Sequence, residues 1–195
     1  MEGRGLLQMM SLSVRDPAEA ARRLIALDLD RSTLWTALVL VAVINTLLQA
    51  VVLLLVPPPP PLGGLFASPL VSASLLLGWM VLSVYAILWA GRSLGGTARL
   101  EDVMTVLVWL HLLWAVVRVG VLVLLVMAPM LSTLFILGAT ALGLWILVHF
   151  VDQAHHLNSP AKAVGVLIAA FVGIVLGLSL AVSLLGLNLP GVGDV

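Results

Sequence analysis

One charged residue, Arg118, stands inside an otherwise uncharged apolar run from Val103 to Met127. An arginine at the centre of a membrane helix costs about 2.5–3.5 kcal/mol on insertion scales. The same run holds sixteen Leu and Val residues, each contributing about −0.3 to −0.6 kcal/mol, so insertion still wins. His111, Trp114 and Arg118 fall at i, i+3 and i+7, which places them on one helical stripe. The Trp114 ring offers a face on which the guanidinium can rest. Asn45 and Gln49, at i and i+4 of an earlier apolar run, make a second polar stripe that can face the first. The pattern suits a polar pathway or ligand pocket inside a bundle. The favoured reading is interhelical hydrogen bonds that fix packing, at about 0.6 kcal/mol per contact. No acidic residue lies at the depth of Arg118, which argues against a carboxylate proton relay.

A second constellation is His149, Asp152, Gln153 and His156, spaced i, i+3, i+4 and i+7, with His155 beside it. Imidazole and carboxylate groups on one face can bind Zn²⁺ or sense pH. The spacing is not H-E-x-x-H, and a turn next to the membrane needs polar residues in any case. The favoured expectation is therefore helix capping and interface anchoring, with no metal and no cofactor.

The sharpest spacing is Gly165, Ala169, Gly173, Gly177 and Ala181, a small residue every fourth position. Small residues let helix backbones approach closely where water supplies no drive. The expectation is a packing face, inside one bundle or between protomers, with Ala139 and Gly143 as a partner notch. No nucleophile-elbow, P-loop, dinucleotide-binding or haem-attachment motif occurs, and an enzyme is not expected.

The elements that must carry these residues follow from composition. The 195 residues are 62% hydrophobic and 9% charged, with a mean hydropathy of +1.22. Soluble domains carry about 25% charged residues; there is too little polar surface here to wrap a soluble globule, and too much apolar content for disorder. Zero net charge gives no sign of a nucleic-acid partner, and the absence of cysteine removes disulfides, thiol catalysis and thiolate metal sites. A bilayer core of about 30 Å takes about 20 helical residues. Five segments qualify: 34–56, 68–90, 103–127, 131–151 and 163–187. The breaks are the five prolines 57–61, a polar stretch from Gly91 to Asp102, Pro129, and a polar turn from Asp152 to Pro160. The fold expected is an all-α, five-span membrane bundle.

Arg4, Arg15, Arg22, Arg23 and Arg31 precede the first span, Arg92 and Arg99 follow the second, and Lys162 enters the fifth. The other connections and the tail 188–195 carry no basic residue, so the positive-inside rule puts the N-terminus in the cytoplasm and the C-terminus outside. Residues 1–31 read as a cytoplasmic segment with an amphipathic helix over 16–27. Asp16 is its N-cap, Pro17 its first residue and Glu19 the carboxylate of a capping box. Ala20, Leu24 and Leu27 form its apolar face, and Glu19 pairs with Arg23 at i, i+4. The expectation is a helix lying on the inner leaflet.

This order of elements resembles the bacterial branch of the Yip-domain membrane proteins, the Yip-one superfamily. The matching features are the Asp16–Pro17 entry helix, five spans, the Leu94–Gly95–Gly96 loop, and the turn from His155–His156 through Ser159 to Lys162–Ala163. The resemblance implies a five-helix bundle with a cytoplasmic N-terminus in a bacterial inner membrane. Eukaryotic relatives are linked to Rab GTPase binding, but they have a longer N-terminal region and an Asp-Leu-Tyr-Gly-Pro motif that this chain lacks. Rab binding is not carried over. The function expected is a non-enzymatic scaffold, membrane organiser or accessory subunit. Its partners would be the lipid bilayer and other membrane proteins or itself. The alternative is a small transporter or channel using the Arg118 stripe. A metal-dependent enzyme resting on the histidines comes third.

Overall fold

A computed structural model describes residues 3–56 and 68–184. Seven helices occur there: α1 (Gly3–Arg15), α2 (Pro17–Ile25), α3 (Arg31–Leu55), α4 (Pro69–Ser93), α5 (Leu100–Met127), α6 (Pro129–His155) and α7 (Pro160–Leu184). Helices α3 to α7 are each long and apolar enough to cross a membrane. Each expected span is present and most extend by a turn into flanking polar residues, because capping groups and not hydropathy set the ends. Asp30 starts α3 by accepting from the Thr33 N–H at 3.0 Å and the Thr33 hydroxyl at 2.6 Å. Pro69 and Pro129 open α4 and α6, where the missing proline N–H costs nothing. The proline run 57–61, positions 185–187 of the expected fifth span and the tail 188–195 lie outside the described residues.

The five long helices form a ring in which α3 packs on α5, α5 on α6, α6 on α7, α7 on α4 and α4 on α3. Alternating direction brings the start of α3, the end of α4, the start of α5, the end of α6 and the start of α7 to one end. That end carries the ion pairs: Arg31 with Glu101 at 2.7 Å, and Arg99 with Asp28 at 2.7 Å and Asp102 at 3.2 Å. Asp28 beside it, followed by Asp102, keeps the Arg99 guanidinium charged far above its ordinary range. The core lies at this end too, built on Leu34, Val84, Met104, Phe150 and Val166, with Leu38, Val41, Ala42 and Met80 beside it. Towards the other end the side chains turn outward, and Leu54, Leu70, Val126, Met130 and Leu184 are exposed. The buried core is concentrated at the charged end and exposed aliphatic side chains at the apolar end.

The N-terminal segment differs from expectation in three ways. First, residues 3–15 are helical, and α1 docks on the bundle: Ser13 is fully buried, and the buried Trp109 indole donates to its hydroxyl at 2.9 Å. Trp109 lies nine residues along α5, about 14 Å from its start at 1.5 Å per residue. Second, α2 turns its apolar face to protein and not to the leaflet, with Ala20, Ala21 and Leu24 enclosed in the main core against α6. Leu27 lies past the end of the helix and is exposed. Third, no capping box closes α2. Asp16 caps the Glu19 N–H at 2.9 Å, but the Glu19 carboxylate is drawn to Arg23 at 2.7 Å and Arg22 at 2.8 Å. Two guanidinium groups outcompete one backbone N–H for the same oxygens.

Candidate functional site

Residues of the two expected polar stripes meet in the seam between α3 and α5. Asn45, only 2% exposed, donates from Nδ2 to its own helix at Val41 O (2.9 Å) and across the seam to His111 O (3.1 Å). One turn further on, Arg118 Nη1 donates to the Gln49 side-chain oxygen and, at 3.5 Å, to Asn45 O. The seam is thus tied twice by polar contacts where apolar surface alone gives helices little preference for one another.

Two members of the stripe behave otherwise. His111 contributes its backbone carbonyl, and its imidazole makes no hydrogen bond among the described residues. Trp114 does not stack on Arg118: its ring turns to α6 and lies against Gly143, where a Cβ would come within 3.1 Å of Cζ2. Gly143 therefore receives Trp114, not the small-residue ridge of α7. Trp114, Gly143, Ala139, Leu110, Met10 and Val14 line an apolar cavity of about 180 Å³ between α1, α5 and α6.

The ridge of α7 is divided. The face that α7 buries is Ala163, Val166, Ala170 and Ile174; Gly165 and Ala169 flank it half-buried, while Gly173, Gly177 and Ala181 are exposed. A Cβ at Gly173 or Gly177 would meet nothing within 4 Å. The outer half of the ridge is not used inside this bundle.

The histidine cluster does not converge. His149 Nδ1 lies 2.8 Å from Trp145 O, with the two rings 5.0 Å apart and tilted by 60°. Asp152 accepts the Ser159 N–H at 2.8 Å, holding the turn into α7. His156 is in the left-handed region at φ 54°, and its side chain leaves the helical face. It closes α6 as a Schellman turn, with Leu157 N donating to Asp152 O (3.1 Å) and His156 N to Gln153 O (3.3 Å). Among the described residues no three histidine or carboxylate groups gather as metal ligands.

The residue whose role sequence reasoning missed is His155, named there only beside the histidine cluster and in the turn before the fifth span. It is fully buried, and neither ring nitrogen has a hydrogen-bond partner within the fold. A Cβ at Gly91 would run into the imidazole, and one at Gly96 would meet both the ring and Gly91 O at 2.8 Å. Thr97 N donates to His155 O at 3.1 Å, and Arg92 donates to Ala98 O at 2.9 Å, so the α4–α5 loop closes over the ring. Gly91 in the last turn of α4 and Gly96 in the loop were the available signal, since they leave room for a flat side chain arriving from elsewhere.

The whole arrangement runs from α1 into α7, and the Yip1 domain model matches residues 12–182. The chain belongs to the Yip1 family. No curated protein and no solved structure matches it. Both the Leu94–Gly95–Gly96 loop and the turn through Ser159, on which the resemblance rested, fall within the matched segment and meet at His155.

Proposed function

We propose that this Yip1-family protein is a non-enzymatic scaffold or accessory subunit that acts through helix–helix contacts inside the membrane. The observation that carries the reading is the uncovered ridge of Gly173, Gly177 and Ala181 on the exposed half of α7. A surface that permits close backbone approach and is left unused by its own bundle suits another helix. The setting proposed is a bacterial inner membrane with the charged end in the cytoplasm, following the placement of Arg and Lys.

The chain has no cysteine, so a single Gly177→Cys reports on this face alone. Thiol-directed cross-linking in native membranes is expected to trap a neighbouring helix at position 177 and not at Leu70→Cys, on the exposed start of α4. Equal or absent cross-linking at both positions would overturn the reading. The transport alternative rests on Arg118, and unchanged anion flux into proteoliposomes on Arg118→Leu would remove it.

A further inference from the structure

The Arg118 guanidinium carries more donors than its own fold employs. Of its five N–H groups, only those on Nη1 find acceptors, in Gln49 and Asn45. Nε and Nη2 have no acceptor among the described residues, and neither is sealed inside the protein. Both acceptors in use are neutral, so the charge itself is uncompensated.

Depth decides what can compensate it. Arg118 lies eighteen residues beyond Leu100 in a helix of 28 residues, about 27 Å along a length of about 42 Å. Its side chain points back towards the helix start and reaches Asn45, about 21 Å along α3. The guanidinium therefore sits close to the bilayer midplane. A lipid phosphate lies beyond the hydrocarbon, about 15 Å or more away. Nor does any described residue of this chain supply the anion. The seven acidic residues among those described, Asp16, Glu19, Asp28, Asp30, Glu101, Asp102 and Asp152, all belong to the charged end. A second copy brings the same described set.

We propose that the free edge of Arg118 pairs with a carboxylate at mid-bilayer depth on a transmembrane helix of a different protein. Ionisable residues in membranes pair with one another, and a guanidinium fork receives a carboxylate through two parallel bonds. The polar seam is thus the anchor for an unlike partner, while the ridge of α7 remains free for a contact of another kind. This inference rests on the helix-contact reading above and names the partner's chemistry.

The test uses the full chain in phosphatidylcholine vesicles at pH 8 with labelled poly-leucine transmembrane peptides bearing one central Glu or Gln. Energy transfer is expected to show the Glu peptide associating about tenfold more tightly than the Gln peptide. Arg118→Gln is expected to abolish that preference, and Arg118→Lys, which keeps the charge but not the fork, to retain part of it. Equal association of the two peptides, or a preference that survives Arg118→Gln in a variant with unchanged circular dichroism, would overturn the proposal. So would tighter peptide binding by Glu2→Gln, since Glu2 would then be the occupant. Cross-links at position 177 that persist without any Glu preference would sink the Arg118 pairing alone; a preference without cross-links would sink the scaffold reading of α7 alone.

Discussion

Arg118 and Asn45 show what a sequence can place and what it cannot. Spacings of i+4 on α3 and i+7 on α5 were enough to put Gln49 and Arg118 on facing stripes, and they meet. The role of His111 was illegible, because it is a backbone carbonyl that any residue would present. Trp114 went astray for a related reason. Its partner, Gly143, is fixed by the angle at which α6 crosses α5, which no spacing within one helix encodes. His155 is the strongest case: a buried imidazole without polar partners has no motif, only the two glycines that make room for it. Gly91→Ala is expected to destabilise the fold by about 1–3 kcal/mol through overpacking against that ring. Reversible unfolding in mixed micelles measures it, and His155→Ala on the same background should restore much of the loss. Gly96→Ala should not be rescued in this way, because its Cβ would also meet the Gly91 carbonyl.

At the scale of elements, the five long helices were legible because each needs a run of apolar residues that nothing else in the chain imitates. Helix α1 was not. It is short, mixed in character and preceded by charge, and its place depends on Ser13 reaching Trp109 across 96 residues of sequence. The amphipathic face of α2 was read correctly at Ala20 and Leu24 but assigned to lipid, since an apolar stripe does not announce whether hydrocarbon or protein will cover it. Charges on the outer side of α2 give it a pH dependence. Arg23 and then Arg22 hold the Glu19 carboxylate below its free value of 4.5, and Thr33 holds Asp30, the cap of α3, below 3.8. A depressed folded value means the stabilisation is complete above the free value and is lost as pH falls through the lower, folded one. Hydrogen exchange of the α2 amides, corrected for intrinsic rate, should therefore be level from neutral pH to about 4.5 and accelerate below it. Glu19→Gln should flatten that profile, and high salt should weaken it; an identical profile in the variant would contradict the pairing.

For the molecule as a whole, the division into a charged end that holds the core and an apolar end that exposes aliphatic side chains joins the separate observations. The core, the ion pairs, the His155 lock and both loops of the family resemblance share one end, so this end is built for stability. The exposed aliphatic half, the free part of the α7 ridge and the open edge of Arg118 face away from it, where lipid or another helix must cover them. Hydropathy and arginine placement made this polarity legible; the position of the buried core was not, because it depends on which faces the helices bury against one another. Whether the charged end faces the cytoplasm is the claim on which the account turns, and paired thiol labelling tests it directly. Ser93→Cys lies at the charged end and Met130→Cys at the apolar end, both exposed in a chain with no other cysteine. An impermeant maleimide applied to intact cells whose outer barrier has been opened is predicted to label position 130 at once and position 93 only after lysis. Labelling of both from the same side would contradict the five-span threading, and the reverse order would contradict the orientation.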